Sequence, residues 1–170
     1  MLGFLFRGLT AERPGFAALF DTLTAEARQP HWYVEGHVPD TLDGRFGVLA
    51  TIIALVLVRL ECEGESGDHV SVALTERFIH VMESEHRELG LGDPTLGKTV
   101  RKLVGMLARR TELWRATCAG ESDWFEATRE SLYKEDAPAG PLRHSAKALN
   151  EFRLRLVATS LVDFEQGNIG

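Results

Sequence analysis

The sequence predicts an all-α protein, a single bundle of about six helices with an apolar second helix at its centre. Apolar residues recur at three- and four-residue spacings along almost the whole chain. Proline and glycine gather at four places, PHWYVEGHVP, EGESGD, GLGDP and DAPAGP, and divide the periodic stretches from one another. No two segments show the period-2 alternation with turn chemistry expected of a sheet, and no internal repeat or low-complexity tract occurs.

The helical domain is expected over residues 16–166, preceded by a short apolar segment at 1–15. That segment begins MLGFLFRGL, with Arg7 as its only charge in those nine residues. It lacks a basic n-region and a small-residue cleavage site, so it does not read as a secretory signal. After Pro14, the spacing of Phe16, Leu19, Phe20 and Leu23 marks the buried face of a first helix, which Pro30 ends. The connector PHWYVEGHVP sets Trp32 and Tyr33 side by side, as an aromatic docking surface or as a hydrophobic lid over the bundle. Asp40 or Thr41 then caps a second helix running to about Cys62. Its middle, VLATIIALVLV from Val48 to Val58, is apolar on every side, which places it inside a bundle. The run is well short of the ~20 residues needed to span a bilayer.

Ser66 or Asp68 starts a third helix, with Val72, Leu74, Phe78, Ile79, Met82 and Leu89 as its buried side. Gly90 and Gly92 suit a left-handed stop, and Asp93 caps the fourth helix, expected from Pro94 to Ala119. A shorter fifth helix begins after Glu121 or Ser122. A long sixth, LRHSAKALNEFRLRLVATSLVDFEQ, closes the chain.

At 170 residues, 44% hydrophobic and 26% charged, the chain suffices for one domain with a substantial core. Its net charge of −6 makes the surface as a whole repel nucleic acid, so no DNA partner is expected. Cys62 and Cys118 form no C-x-x-C pair and read as buried reduced thiols, consistent with a cytoplasmic compartment. The charge is uneven. Between Pro94 and Ala119 lie six basic residues and one acidic, a local +5, so the rest of the chain carries about −11. At 100° per residue, Lys98, Arg101, Lys102 and Arg109 share one face of the fourth helix. Val100, Leu103, Val104, Leu107 and Trp114 fall on the other. The basic stripe is either a partner surface or a solvated face balancing acidic neighbours.

Gly92–Thr99, GDPTLGKT, fits the phosphate-loop pattern G-x-x-x-x-G-K-[ST] at every specified position. The chemistry of that pattern depends on a strand delivering a glycine-rich turn to a helix N-terminus. Here the preceding residues are helix-periodic, and Pro94 removes one N–H from the would-be cradle. The letters are therefore read as a helix-restart loop, with a nucleotide-binding protein kept as an alternative. A helical metal or cofactor protein is a second alternative. Glu83 and His86 form one Glu-x-x-His motif, but di-iron bundles require two such motifs and two further glutamates. Glu76 and His80 read as an exposed i, i+4 pair. Nothing ties His31, His37, His69 or His144 to a serine or cysteine nucleophile. No catalytic residue, metal ligand or cofactor is expected.

Two blocks carry a family resemblance. One is ARQPHWYVEGHVPDTLDGRFGVLATIIALVLVRL, Ala27 to Leu60, with Pro39, Asp40, Asp43, Gly44 and Arg45 in its PDTLDGRF core. The other is RELGLGDPTLGKTVRKL, Arg87 to Leu103, with Gly90, Gly92, Asp93 and Gly97 before a basic helix start. Together they resemble the ubiquinol–cytochrome c chaperone family. The resemblance implies an all-α fold. It also implies an assembly factor, not an enzyme, that binds newly made cytochrome b and promotes assembly of respiratory complex III. In mitochondrial members this happens near the ribosomal tunnel exit. The partners it implies are cytochrome b, with the ribosome and a peripheral contact at the inner membrane as further ones. Lys98, Arg101, Lys102 and Arg109 are the expected polar contacts, and Trp32 and Tyr33 the expected apolar ones. Asp40, Asp43 and Arg45 are expected to fix the start of the second helix. Thr99 stands where a second basic residue is common in the family, and the C-terminal part matches only loosely.

Overall fold

The computed structural model describes residues 14–88, 90, 93–133 and 137–170. Among them are seven α-helices and no strand. In chain order these are α1 (Pro14–Ala27), α2 (Leu42–Leu60), α3 (Glu65–Glu88), α4 (Asp93–Cys118), α5 (Trp124–Leu132), α6 (Ala139–Ala158) and α7 (Leu161–Gln166). Two single 3-10 turns, Pro30–Trp32 and Glu61–Glu63, follow α1 and α2. The apolar segment expected at 1–15 lies outside the described residues except where 14 and 15 open α1. No helix among the described residues is long and apolar enough to cross a membrane.

Helix α2 is the axis. Every residue from Val48 to Val56 is buried, and α1, α3, α4, α5 and α6 all pack on it. A fully buried Val, Leu or Ile contributes roughly 1.5–3 kcal/mol, so this nine-residue stretch holds the bundle together from inside. The one polar residue in it, Thr51, is satisfied locally by donating to the Gly47 carbonyl at 2.7 Å. At the far end of α2, Arg59 donates from Nε to the Leu156 carbonyl and from Nη2 to the Thr159 carbonyl, both at 3.1 Å. Leu156 lies in the last turn of α6, where its carbonyl also accepts from the Thr159 amide at 3.2 Å, and Thr159 is the C-cap, so one α2 side chain helps to close the end of a neighbouring helix.

The structure divides the expected sixth helix into α6 and α7. Thr159 and Ser160 adopt extended backbone angles, and Ser160 Oγ accepts from the Asp163 amide at 3.2 Å. Ser160-x-x-Asp163 is a helix start hidden inside an unbroken apolar period. The break lets α7 fold back onto α1, where Gly167 closes it with φ of 76°. A Cβ there would lie 2.6 Å from the Ala18 backbone, and Thr22 Oγ1 donates to the Gly167 carbonyl at 2.8 Å.

Two burial expectations are corrected. Val72 is exposed at 57%, and the buried row of α3 runs instead through Val70, Leu74, Phe78 and Met82; Leu89 lies outside the described residues. Cys62 and Cys118 are both exposed, because each sits where a helix has already left the core.

Candidate functional site

A cleft of about 840 Å³ opens between the C-terminal half of α1, the start of α2, the second half of α3, the stretch of α4 from Thr99 to Arg110 and the end of α5. Its floor is apolar, with Phe20, Leu49, Met82, Leu103 and Leu132 each exposing a few per cent of their surface. Charges of both signs stand around it: Asp21, Glu85 and Glu130 against Arg28, Arg45 and Lys102.

The PDTLDGRF stretch builds one lip. Thr41 is the N-cap of α2 and accepts from the Gly44 amide at 3.2 Å. Asp40 is not the cap. Its carboxylate accepts from Arg45 Nε at 2.6 Å, and that bond holds Asp40 below the usual carboxylate range and raises Arg45. Asp43 places a carboxylate in the first turn of α2, where it complements the helix dipole. Gly44 is a steric necessity, since a Cβ would lie 1.9 Å from the Pro39 carbonyl oxygen. Arg45 also lies over Tyr33, 5.9 Å from its ring centre.

The connector before that lip ties off α1. Trp32 Nε1 donates to the Glu26 carbonyl at 2.9 Å and Tyr33 Oη to the Ala27 carbonyl at 2.8 Å, both end-of-helix acceptors. Trp32 is thereby fully enclosed, which corrects its expected place on a docking surface. A large ring with a satisfied N–H has nothing left to offer a partner. Tyr33 is half-buried and lines the cleft, and burial pushes its phenol up.

Along α4, Lys98, Arg101, Lys102 and Arg109 are all exposed. None of the four makes an ion pair among the described residues. The stripe borders the cleft through Lys102. On the opposite face Leu103, Leu107 and Trp114 are buried, with Trp114 Nε1 donating to Ser131 Oγ at 3.1 Å, whereas Val104 is 37% exposed.

The phosphate-loop alternative fails on geometry. Helix α4 already begins at Asp93, so the amides of Gly97, Lys98 and Thr99 lie past the free donors of the helix start. Thr99 Oγ1 donates to the Thr95 carbonyl at 3.0 Å, within the helix. Gly92, the first residue of the pattern, lies outside the described residues. Gly90 has φ of 84°, the left-handed stop expected of it, and Gly97 is exposed with open space around it.

No feature of the sequence signals that His31 and His144 meet. They are 113 positions apart, yet His31 Nδ1 and His144 Nε2 share a hydrogen bond of 3.1 Å. Burial and, after it, His144 lower the pKa of His31. Among the described residues no three His, Cys, Asp or Glu side chains converge as metal ligands.

Comparison with curated proteins finds no match. Among solved structures, the crystal structure of the Cbp3 homolog from Brucella abortus is similar, with a TM-score of 0.79 and 25% identity. The likeness covers 100% of this chain and 96% of that one. The family model described as ubiquinol-cytochrome C chaperone matches residues 35–150, which take in the lip of the cleft, all of α2, α3, α4 and α5, and the first half of α6. That span is more than half of the chain, and the protein belongs to the ubiquinol-cytochrome c chaperone family.

Proposed function

We propose that the protein is an assembly factor that binds newly synthesised cytochrome b and promotes assembly of ubiquinol–cytochrome c reductase, acting by binding and not by catalysis. Family membership supports the pathway. The observation that carries the binding reading is the stripe of Lys98, Arg101, Lys102 and Arg109, four exposed cations with no ion-pair partner among the described residues, beside a cleft with an apolar floor. Unpaired like charges gathered in an otherwise acidic chain repel one another and gain by meeting an acidic surface. A polypeptide with apolar segments and acidic flanks suits both halves of that surface. Tyr33 at the lip contributes an apolar contact. The same cations would serve a ribosome near its tunnel exit, and peripheral association with the inner membrane accords with a membrane-subunit client.

The test is an affinity capture from cells that are making complex III, probed for cytochrome b. A variant with Lys98, Arg101, Lys102 and Arg109 all changed to glutamine is compared with the wild type. Exposed substitutions of this kind each change stability within about 0.5 kcal/mol, so the variant still folds cooperatively, with at most a shift of several degrees in Tm, and loses the client. Undiminished capture by the folded variant removes the stripe from the interface. No capture by the wild type, with complex III intact in a deletion strain, removes the function.

A further inference from the structure

One residue past Arg109, the turn of α4 carries Arg110 out of the exposed stripe and into the wall of the cleft. Its Nη2 donates to the Ser131 carbonyl at the end of α5, at 3.1 Å, and its guanidinium lies 6.0 Å from the centre of the Phe46 ring. Its Nε is buried and has no hydrogen-bond partner, and no carboxylate forms an ion pair with it among the described residues. Burial lowers its pKa, opposed by Glu130 from beyond ion-pair distance and reinforced by Arg109. A guanidinium nonetheless keeps its charge in proteins, and a half-buried charge without a counterion among the described residues carries a desolvation cost. Arg45 at the lip differs, because Asp40 already pairs with it.

We propose that Arg110 is a recessed carboxylate anchor. The cleft takes an apolar polypeptide segment carrying an Asp or Glu side chain, whose acid pairs with the Arg110 guanidinium while its neighbours lie on Phe46, Leu49, Leu103 and Met106. This rests on the reading that the partner is a polypeptide, and it names the chemistry selected. With one N–H of Nη2 engaged by Ser131, the other terminal N–H groups of the fork remain for an incoming carboxylate. The surroundings favour a single acid over a polyanion. Asp21, Asp43, Glu85 and Glu130 alternate around the cleft with Arg28, Arg45, Arg77 and Lys102, so no field of a single sign lies along it to hold a run of phosphates, whereas one carboxylate on an apolar segment meets Arg110 and the floor together.

The experiment uses the full chain and two fluorescently labelled helical peptides of Leu, Ala and Phe, identical except for Glu or Gln at the central position. Fluorescence anisotropy is expected to show the Glu peptide binding about tenfold tighter or more, the yield of one charge-assisted pair. Arg110→Met should bring the Glu peptide down to the level of the Gln peptide. Arg110→Lys should keep part of the preference, since an ammonium retains the charge and loses the fork. The Arg110→Met protein should melt at or above the wild type, because a half-buried cation with no counterion among the described residues has gone. Should it fail to fold, the Glu–Gln comparison on the wild type and on Arg110→Lys still decides. Equal affinity for the two peptides, or a preference that survives in Arg110→Met, overturns the anchor. So does binding of phosphatidylglycerol vesicles that Arg110→Met abolishes while the peptides show no preference. Capture of cytochrome b by wild type and Arg110→Met alike overturns the anchor and leaves the assembly reading standing. Failure of the wild type to capture cytochrome b, with the Glu preference intact, does the reverse.

Discussion

Gly44 and Gly97 both belong to the motifs that suggest the family, and alanine at each should act with opposite sign. At Gly44 the new Cβ would sit 1.9 Å from the Pro39 carbonyl oxygen and 2.9 Å from its carbon. Both are backbone atoms, so the loop must retreat by about 1 Å to reach the 3.0 Å that real Cβ contacts require. Such overpacking costs about 1–3 kcal/mol. The retreat also pulls Thr41 off the Gly44 amide, a cap worth about 1 kcal/mol. The exposed Asp40–Arg45 pair adds little. Against this, alanine gains about 1 kcal/mol over glycine in a helix. The net is a loss of about 1–3 kcal/mol, or roughly 2–12 °C in Tm for a chain of this length. Gly97 lies inside α4 with nothing within 4 Å of an added Cβ, so only the helix gain of about 0.5–1 kcal/mol remains. Denaturant melts followed by circular dichroism measure both. A neutral or stabilising Gly44→Ala would refute the steric account of the lip, and a destabilising Gly97→Ala would refute the open surroundings of that turn.

Three further outcomes follow from burial and protonation. Trp32→Ala should cost about 3–5 kcal/mol, as for other enclosed aromatics; a surface contact would leave the melt unchanged. Both cysteines of the folded protein should react with a thiol reagent without denaturant, and a thiol that reports only after unfolding would contradict its exposure. Because the folded pKa of His31 lies below its ordinary value of about 6.5, the unfolded chain takes up the proton first as pH falls. The stability His31 contributes is therefore full above about pH 6.5 and declines as pH falls toward its folded pKa. The Tm advantage of wild type over His31→Gln should shrink between about pH 7.5 and pH 5, and an advantage that grew with acid would reverse the assignment.

The legible part of the fold was its periodicity and its punctuation. An apolar run such as Val48–Val56 has only one stable place in a bundle, and Pro30, Thr41 and Gly90 each stand at a helix boundary in the structure. What stayed hidden depended on partners distant in sequence. Thr159–Ser160 keeps the apolar period while breaking the helix, and the break is stabilised by Arg59, 97 and 100 positions away from its acceptors. Val72 fits the spacing of the buried face, yet the row through Val70 and Leu74 is the one the neighbouring helices cover. Trp32 reads alike as lid or docking surface until its N–H is found on the Glu26 carbonyl.

The same distinction separates what identifies the family from what would touch a partner. Thr41, Gly44 and the Asp40–Arg45 pair are engaged in fixing how α2 begins, which leaves them little freedom to reorganise around a ligand. Their rigidity sets the position of Phe46, and Phe46 sets one side of the space above Arg110. At the lip, steric demand dictates residue identity, Gly44 above all. The chemistry that could select a client belongs to side chains with unspent donors, Lys102 at the rim, which the basic stripe marks, and Arg110 in the wall, which no motif marks. Sequence resemblance therefore leads to the cleft, while hydrogen-bond and charge accounting leads to the residues within it that remain available for binding.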